Sequence, residues 1–193
     1  MGVKEFFNER AAFWDEEIPE ILPQRTAAAI IAGVKKGSSV LDIACGTGVM
    51  FDEYLALGAS QITGIDIAEK MIEKAQEKFS GDPRITLVAG DVLEYDDCGF
   101  DAAVMYNAYP HFADKDALLK KVASMLIPGG RFTVAHGAGR QMINSHHSSV
   151  GAGQVSVGLG SAEDEAAAWE KYFDVDVLAD TPEVYIISGI VKK

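Results

Sequence analysis

The chain has 193 residues, 48% of them hydrophobic and 24% charged, which is the composition of one folded domain and not of a disordered or fibrous chain. Seventeen Lys and Arg face 29 Asp and Glu, a formal charge of −12. That balance argues against sequence-independent binding to nucleic acid or to an anionic membrane surface, both of which need clustered positive charge.

The opening residues show no apolar core of a secretory signal, and Phe6 stands where a myristoylation signal needs Ser or Thr. No apolar run approaches the length of a membrane span. With two cysteines, Cys45 and Cys98, no disulfide framework is expected, and the protein reads as cytoplasmic.

In chain order, Phe6, Phe7, Phe13 and Trp14 alternate with charges at helical spacing, predicting an amphipathic helix over 3–16. These rings read mainly as packing, with one or two reaching a pocket. Pro19 and Pro23 interrupt the chain, and a second helix is expected over 26–34, closed by Lys35, Lys36 and Gly37. Together, residues 1–36 form a helical cap.

Strands and helices then alternate. Strands are expected at 39–44, 61–65, 85–89, 100–106 and 131–136; helices are expected at 49–57, 69–79, 114–126 and 162–172. Two last strands, 175–178 and 184–191, are joined too closely for a crossover helix, so at least one terminal strand is antiparallel. The expected architecture is a doubly wound, Rossmann-like α/β domain with a mostly parallel seven-stranded sheet, spanning 1–193 as one unit.

Residues 137–161 break this rhythm with six glycines and one plausible helix near 141–145. A stretch of this kind reads as a substrate lid or a loop.

The most informative residues sit at the ends of strands. Asp42, Ala44, Cys45, Gly46 and Gly48 form an acid and a glycine turn between a strand and a helix, where a backbone can approach a nucleotide-like ligand closely. Asp66, Asp91 and Asn107 end the next three strands, the edge at which open α/β sheets bind ligands. Taken singly, each could merely serve a turn or a helix cap. Cys45 reads as a small residue that fits the turn.

The ordered set VLDIACGTG, GIDIAEKM, GDV, FDAAVMYNAY and LIPGGRF resembles the class I S-adenosylmethionine-dependent methyltransferases, and is similar to the enzymes of ubiquinone and menaquinone biosynthesis. The resemblance covers residues 6–134, departing at Ala44, where many members carry glycine. It implies a small-molecule methyltransferase using S-adenosylmethionine. Asp42, Ala44 and Gly46 would then meet the methionine end, Gly48 would also bind the cofactor, and Asp66 would hold the ribose. Ile67 and Met71 would flank the adenine, Asp91 and Val92 would hold its edge, and Asn107 would face the methionine end and the acceptor.

His111, in the loop after Asn107, is the first candidate for a base that deprotonates the acceptor, and His136, ending the fifth strand, is the second. Tyr109 of the same loop, with Arg140 and His146 of the lid, are expected substrate contacts. No metal is expected, because the adjacent His146 and His147 have no Cys or carboxylate at ligand spacing.

Two other readings stand beside this one. A nicotinamide-dependent oxidoreductase also needs a glycine turn and an acid at the next strand end, but Phe51 stands where its third small residue belongs. A non-catalytic binding module could keep the same turn. The sequence is compatible with a homodimer.

Overall fold

The computed structural model describes residues 2–17, 22–149 and 156–192, leaving aside the side chains of residues 17, 22 and 146–149. Strands β1 (Ser39–Ile43), β2 (Gln61–Asp66), β3 (Ile85–Ala89), β4 (Phe100–Tyr106), β5 (Leu126–His136), β6 (Phe173–Asp180) and β7 (Tyr185–Val191) form one sheet in the order β3-β2-β1-β4-β5-β7-β6. β7 runs antiparallel to both β5 and β6, and the other neighbouring pairs are parallel. The antiparallel strand is the last in sequence, and the hairpin bond from Thr181 N–H to the Val184 carbonyl closes the short turn before it.

The helices are α1 (Val3–Arg10), α2 (Trp14–Glu17), α3 (Leu22–Ile31), α4 (Phe51–Ala56), α5 (Glu69–Phe79), α6 (Lys115–Met125), α7 (Arg140–Ser149) and α8 (Ala162–Trp169). Period-two alternation along the strands sends side chains to opposite faces. Leu41, Ala103, Met105, Phe132 and Val134 pack with Leu119 and Val122 of α6 and with Trp169 of α8. Val40, Ile62, Ala102 and Val104 face Ala28 and Ala29 of α3 and Phe51 and Tyr54 of α4. Burying both faces of a parallel sheet explains why its strands read as apolar runs.

Six expectations shift. The helix expected over 3–16 is two helices, because the chain turns at 11–13, where Phe13 N–H bonds the Arg10 carbonyl and Glu16 N–H the Phe13 carbonyl. That turn sends Trp14 and Asp15 toward the glycine turn. α3 starts four residues early, since Pro23 is tolerated in a first turn.

β5 begins at Leu126, ahead of Arg131, and its register against β4 shifts between Phe100 and Ala102 where Gly129 adopts φ +85°. β6 and β7 bracket a longer hairpin than expected, and α8 stops at Trp169. In the 137–161 segment, α7 runs over ten residues; Asn144 accepts from Leu159 N–H and donates to its carbonyl, so Leu159 is buried in the core.

Candidate functional site

β1 has β2 on one side and β4 on the other, so the strand order reverses at its carboxyl end and opens a crevice there. A cavity of 650 Å³ occupies it, within the usual range for small-molecule sites. The glycine turn forms its floor. Ala44 and Gly46 both have left-handed backbone, at φ +55° each, and both line the cavity. A Cβ on Gly46 would stand 3.5 Å from Trp14 Nε1, inside the space the turn leaves open.

Gly48 does different work. It has φ +80°, and a Cβ there would come within 2.8 Å of both Phe51 and Phe79, so it serves packing behind the turn and is not at the cavity. Phe51 thus fills the position where a nicotinamide-binding turn needs a small residue.

Asp66 ties two turns together. One carboxylate oxygen accepts from Gly46 N–H at 2.9 Å and the other from Ala68 N–H at 2.8 Å. Burial pushes its pKa up, and these two bonds oppose the rise. Each oxygen keeps a further lone pair for a ligand hydroxyl. Asp91 accepts from Leu93 N–H at 2.9 Å and so caps a single 3-10 turn, Val92–Glu94. Ile67, Met71, Asp91 and Val92 line the cavity together with Asp66.

Asn107 joins β4 to β5. Its backbone is left-handed at φ +57°, its N–H reaches the Ala135 carbonyl, and its side chain accepts from Gly137 N–H at 3.0 Å. His111 and His136 also line the cavity; His136 is buried with its ring edge-on to Tyr185, 5.9 Å between centroids.

Four expected residues lie elsewhere. Asp42 is fully buried behind the turn, facing Tyr54, and burial pushes its carboxyl well up despite that hydroxyl. Tyr109 is a core residue, its hydroxyl accepting from Trp169 Nε1 and its phenol raised by burial. Arg140 is bound to Asp180 at 3.0 Å, at the β6–β7 end of the sheet. Gly48 is the fourth. The side chain of His146 lies outside the described residues.

What pattern reading undervalued is the amino-terminal cap. Val3, Phe6, Phe7 and Arg10 sit at i, i+3, i+4 and i+7 on α1 and line the cavity together. Phe7 packs edge-on against Trp14 at 5.4 Å and His111 at 5.0 Å. Three of the four aromatic residues therefore reach the cavity, while Phe13 is 60% exposed. The spacing was visible, but spacing alone does not say whether a helix covers a core or a cavity.

Polar clamps hold this cap. Asn8 accepts from Lys70 N–H and donates to Glu69, Lys4 pairs with Glu69, and Asp15 takes both the Thr47 hydroxyl at 2.5 Å and Lys78 at 2.9 Å. Burial works to raise the Asp15 pKa, but the bonds from Thr47 and Lys78 outweigh it and hold the carboxyl low. Cys45 is buried in the turn, its thiol pushed well up by burial. Among the described residues no group of three His, Cys, Asp or Glu is placed to hold a metal ion, and no helix is long and apolar enough to cross a membrane.

Residues 40–130 match a family model described as a methyltransferase domain. Demethylmenaquinone methyltransferase of Staphylococcus aureus is 35% identical over 105 residues, which is 51% of this chain and 42% of that one. The chain thus matches less than half the length of that curated relative. N-methyltransferase NodS from Bradyrhizobium japonicum, solved with S-adenosyl-L-homocysteine, shares the fold with a TM-score of 0.76 at 15% identity, covering 98% of each chain. Magnesium protoporphyrin IX methyltransferase from Synechocystis, also solved with that product, gives 0.72 at 16% identity and the same coverage.

Residues 40–130 thus resemble a methyltransferase domain, and the chain shares the fold of these solved methyltransferases. The residues here would fit S-adenosylmethionine. The open space above Gly46 would be filled by a side chain at that position, and Asp66 presents spare lone pairs at the next strand end.

Proposed function

We propose that this chain is a methyltransferase that transfers a methyl group from S-adenosylmethionine to a small, largely apolar acceptor held beneath α1, α2 and α7. The observation that carries this reading is one cavity with two chemically different walls. Gly46, Asp66 and Asp91 provide backbone and carboxylate groups on one side; Phe6, Phe7, Phe112, Met142 and Ile143 provide an apolar wall on the other.

When bound, S-adenosylmethionine supplies an electrophilic methyl on a positively charged sulfur. The chain's residues then have three tasks. Asp66 would hold the ribose, and Ile67, Met71, Asp91 and Val92 would hold the adenine. Asn107, fixed between β4 and β5, would set the boundary between cofactor and acceptor.

The aromatic cap would exclude water and align the acceptor, the contribution expected to supply most of the rate. His111, braced by Phe7, would accept the acceptor's proton as attack proceeds, with His136 as the second candidate.

The relative from Staphylococcus aureus bears the name of an enzyme acting on demethylmenaquinone, and an aromatic-walled cavity suits an aromatic acceptor of that general kind. The acidic chain and the small cavity favour a cytoplasmic enzyme on small molecules over one acting on nucleic acid.

The test is transfer of labelled methyl to a panel of hydroquinones, phenols, thiols and amines, with RNA and protein as controls. Label is expected in a small molecule; label confined to RNA or protein would overturn the acceptor assignment, and label in none would favour a binding module. In a positive assay, His111→Gln should lower turnover about 10²-fold or more with cofactor affinity unchanged. Unchanged turnover would remove His111 from the mechanism.

A further inference from the structure

A smaller cavity of 270 Å³ lies between the start of α1, the loop that carries His111 and the end of the 137–161 segment. Val3, His111 and Ala113 line both this cavity and the larger one, so the two meet at the ring proposed to take the acceptor's proton. Gly2, Pro110, Ser156 and Val157 complete the smaller one.

Its size and its chemistry both bear on what could occupy it. A volume of 270 Å³ falls below the usual range for a whole small-molecule ligand and suits one part of a larger one. Backbone groups at its rim are already engaged: Gly2 N–H donates to the Glu5 carboxylate at 3.0 Å, and Val157 N–H to the Pro110 carbonyl at 2.7 Å. Besides Ser156 and His111, the side chains of Val3, Pro110, Ala113 and Val157 offer carbon. Such a wall rewards the burial of methylene groups and gives nothing to a charge.

The Val157 bond also sets the place of this groove, because it ties the end of the 137–161 segment to the residue before His111. Phe7, which lines only the larger of the two cavities, packs edge-on against His111 at 5.0 Å. An acceptor with its reactive hydroxyl at His111 and its ring near Phe7 therefore meets the neck between them.

We propose that the acceptor is an arylalkyl molecule, with its reactive ring in the larger cavity and an unreactive apolar arm in the smaller one. The proposal rests on the methyltransferase reading and deepens it by giving the acceptor a shape. Val157 is 41% exposed, so the groove reaches the surface beside it, and an arm longer than the groove emerges there.

A series of 4-alkylphenols from ethyl to octyl, titrated calorimetrically into protein saturated with S-adenosylhomocysteine, tests this. Affinity should rise about 3- to 4-fold per methylene until the arm reaches the exposed end. Val157→Trp fills the groove from an exposed position and should shrink the hexyl-to-ethyl affinity ratio about 10-fold or more, while Val157→Ala should shrink it less. Affinity independent of arm length, or no phenol bound at all, would overturn the proposal. A ratio unchanged in Val157→Trp would also overturn it, since the arm would then lie elsewhere. Failure of S-adenosylhomocysteine itself to bind would overturn the cofactor reading, a result distinct from each of these.

Discussion

On one side the cavity is walled by strand ends and the short turns that follow them, whereas its other side is walled by α1, α2 and α7, brought in from distant parts of the chain. The first wall is held by backbone: Asp66 takes the N–H groups of Gly46 and Ala68, and Asn107 takes that of Gly137. The second is held by side chains, through Asn8, Asp15 and the contacts of Phe7. Backbone-fixed geometry is rigid and serves an invariant ligand. A side-chain-fixed cap can change its rings without disturbing the sheet, which suits the part of the site that selects an acceptor.

The largest expected effect breaks the first wall at its link. Asp66→Ala removes the proposed ribose acceptor and leaves two backbone N–H groups without their partner, so affinity for S-adenosylmethionine should fall by about 100-fold, measured by calorimetry. An unchanged affinity would show that Asp66 serves the turn alone.

Next comes the glycine pair. Gly48→Ala forces a Cβ between Phe51 and Phe79 at a left-handed residue, and should cost about 2–3 kcal/mol in denaturant unfolding. A stable variant with lost cofactor affinity would instead place Gly48 at the ligand.

Asp42 gives a pH-dependent effect. Burial raises its folded-state pKa above the unfolded value, so its stabilising contribution is complete below about pH 4 and is lost as pH rises through the folded value. Asp42→Asn avoids that loss. The variant should melt a few degrees above wild type at pH 8 and level with it near pH 4, and a difference independent of pH would show that Asp42 does not titrate in the fold.

The smallest effect is at Ala44, whose φ of +55° is costly for a residue with a Cβ. Ala44→Gly should stabilise by about 0.5–1 kcal/mol in the same unfolding measurement; a loss would mean that the Ala44 methyl is packed usefully.

These sites also show what a sequence conveys. The glycine turn and the acids at strand ends were legible because each is local: strand, turn and helix follow one another within a few residues, and the residue types answer to backbone geometry. Asp42 and Gly48 belong to the same motif, yet face the packed side of β1 and α4, a direction set by strand register and invisible in a motif.

Tyr109 and Arg140 were placed near the chemistry by loop position. Their partners, Trp169 and Asp180, lie 60 and 40 residues away, so only tertiary structure could assign them. The cap was legible as a helix with an aromatic stripe, but its break at 11–13 goes with contacts no stripe conveys, Trp14 on Phe7 and Asp15 on Thr47 and Lys78. Tertiary pairing also fixes Leu159, which the Asn144 side chain bonds through both backbone groups, in a segment expected to hold one helix near 141–145 within a lid or loop.

On the function proposed above, this cavity is a site for S-adenosylmethionine. Calorimetry of ligand-stripped protein with S-adenosylmethionine, S-adenosylhomocysteine and NAD tests it directly. Micromolar binding of the first two, about −8 kcal/mol, with no heat from NAD is the predicted result. Binding of NAD, or of none of the three, would contradict it.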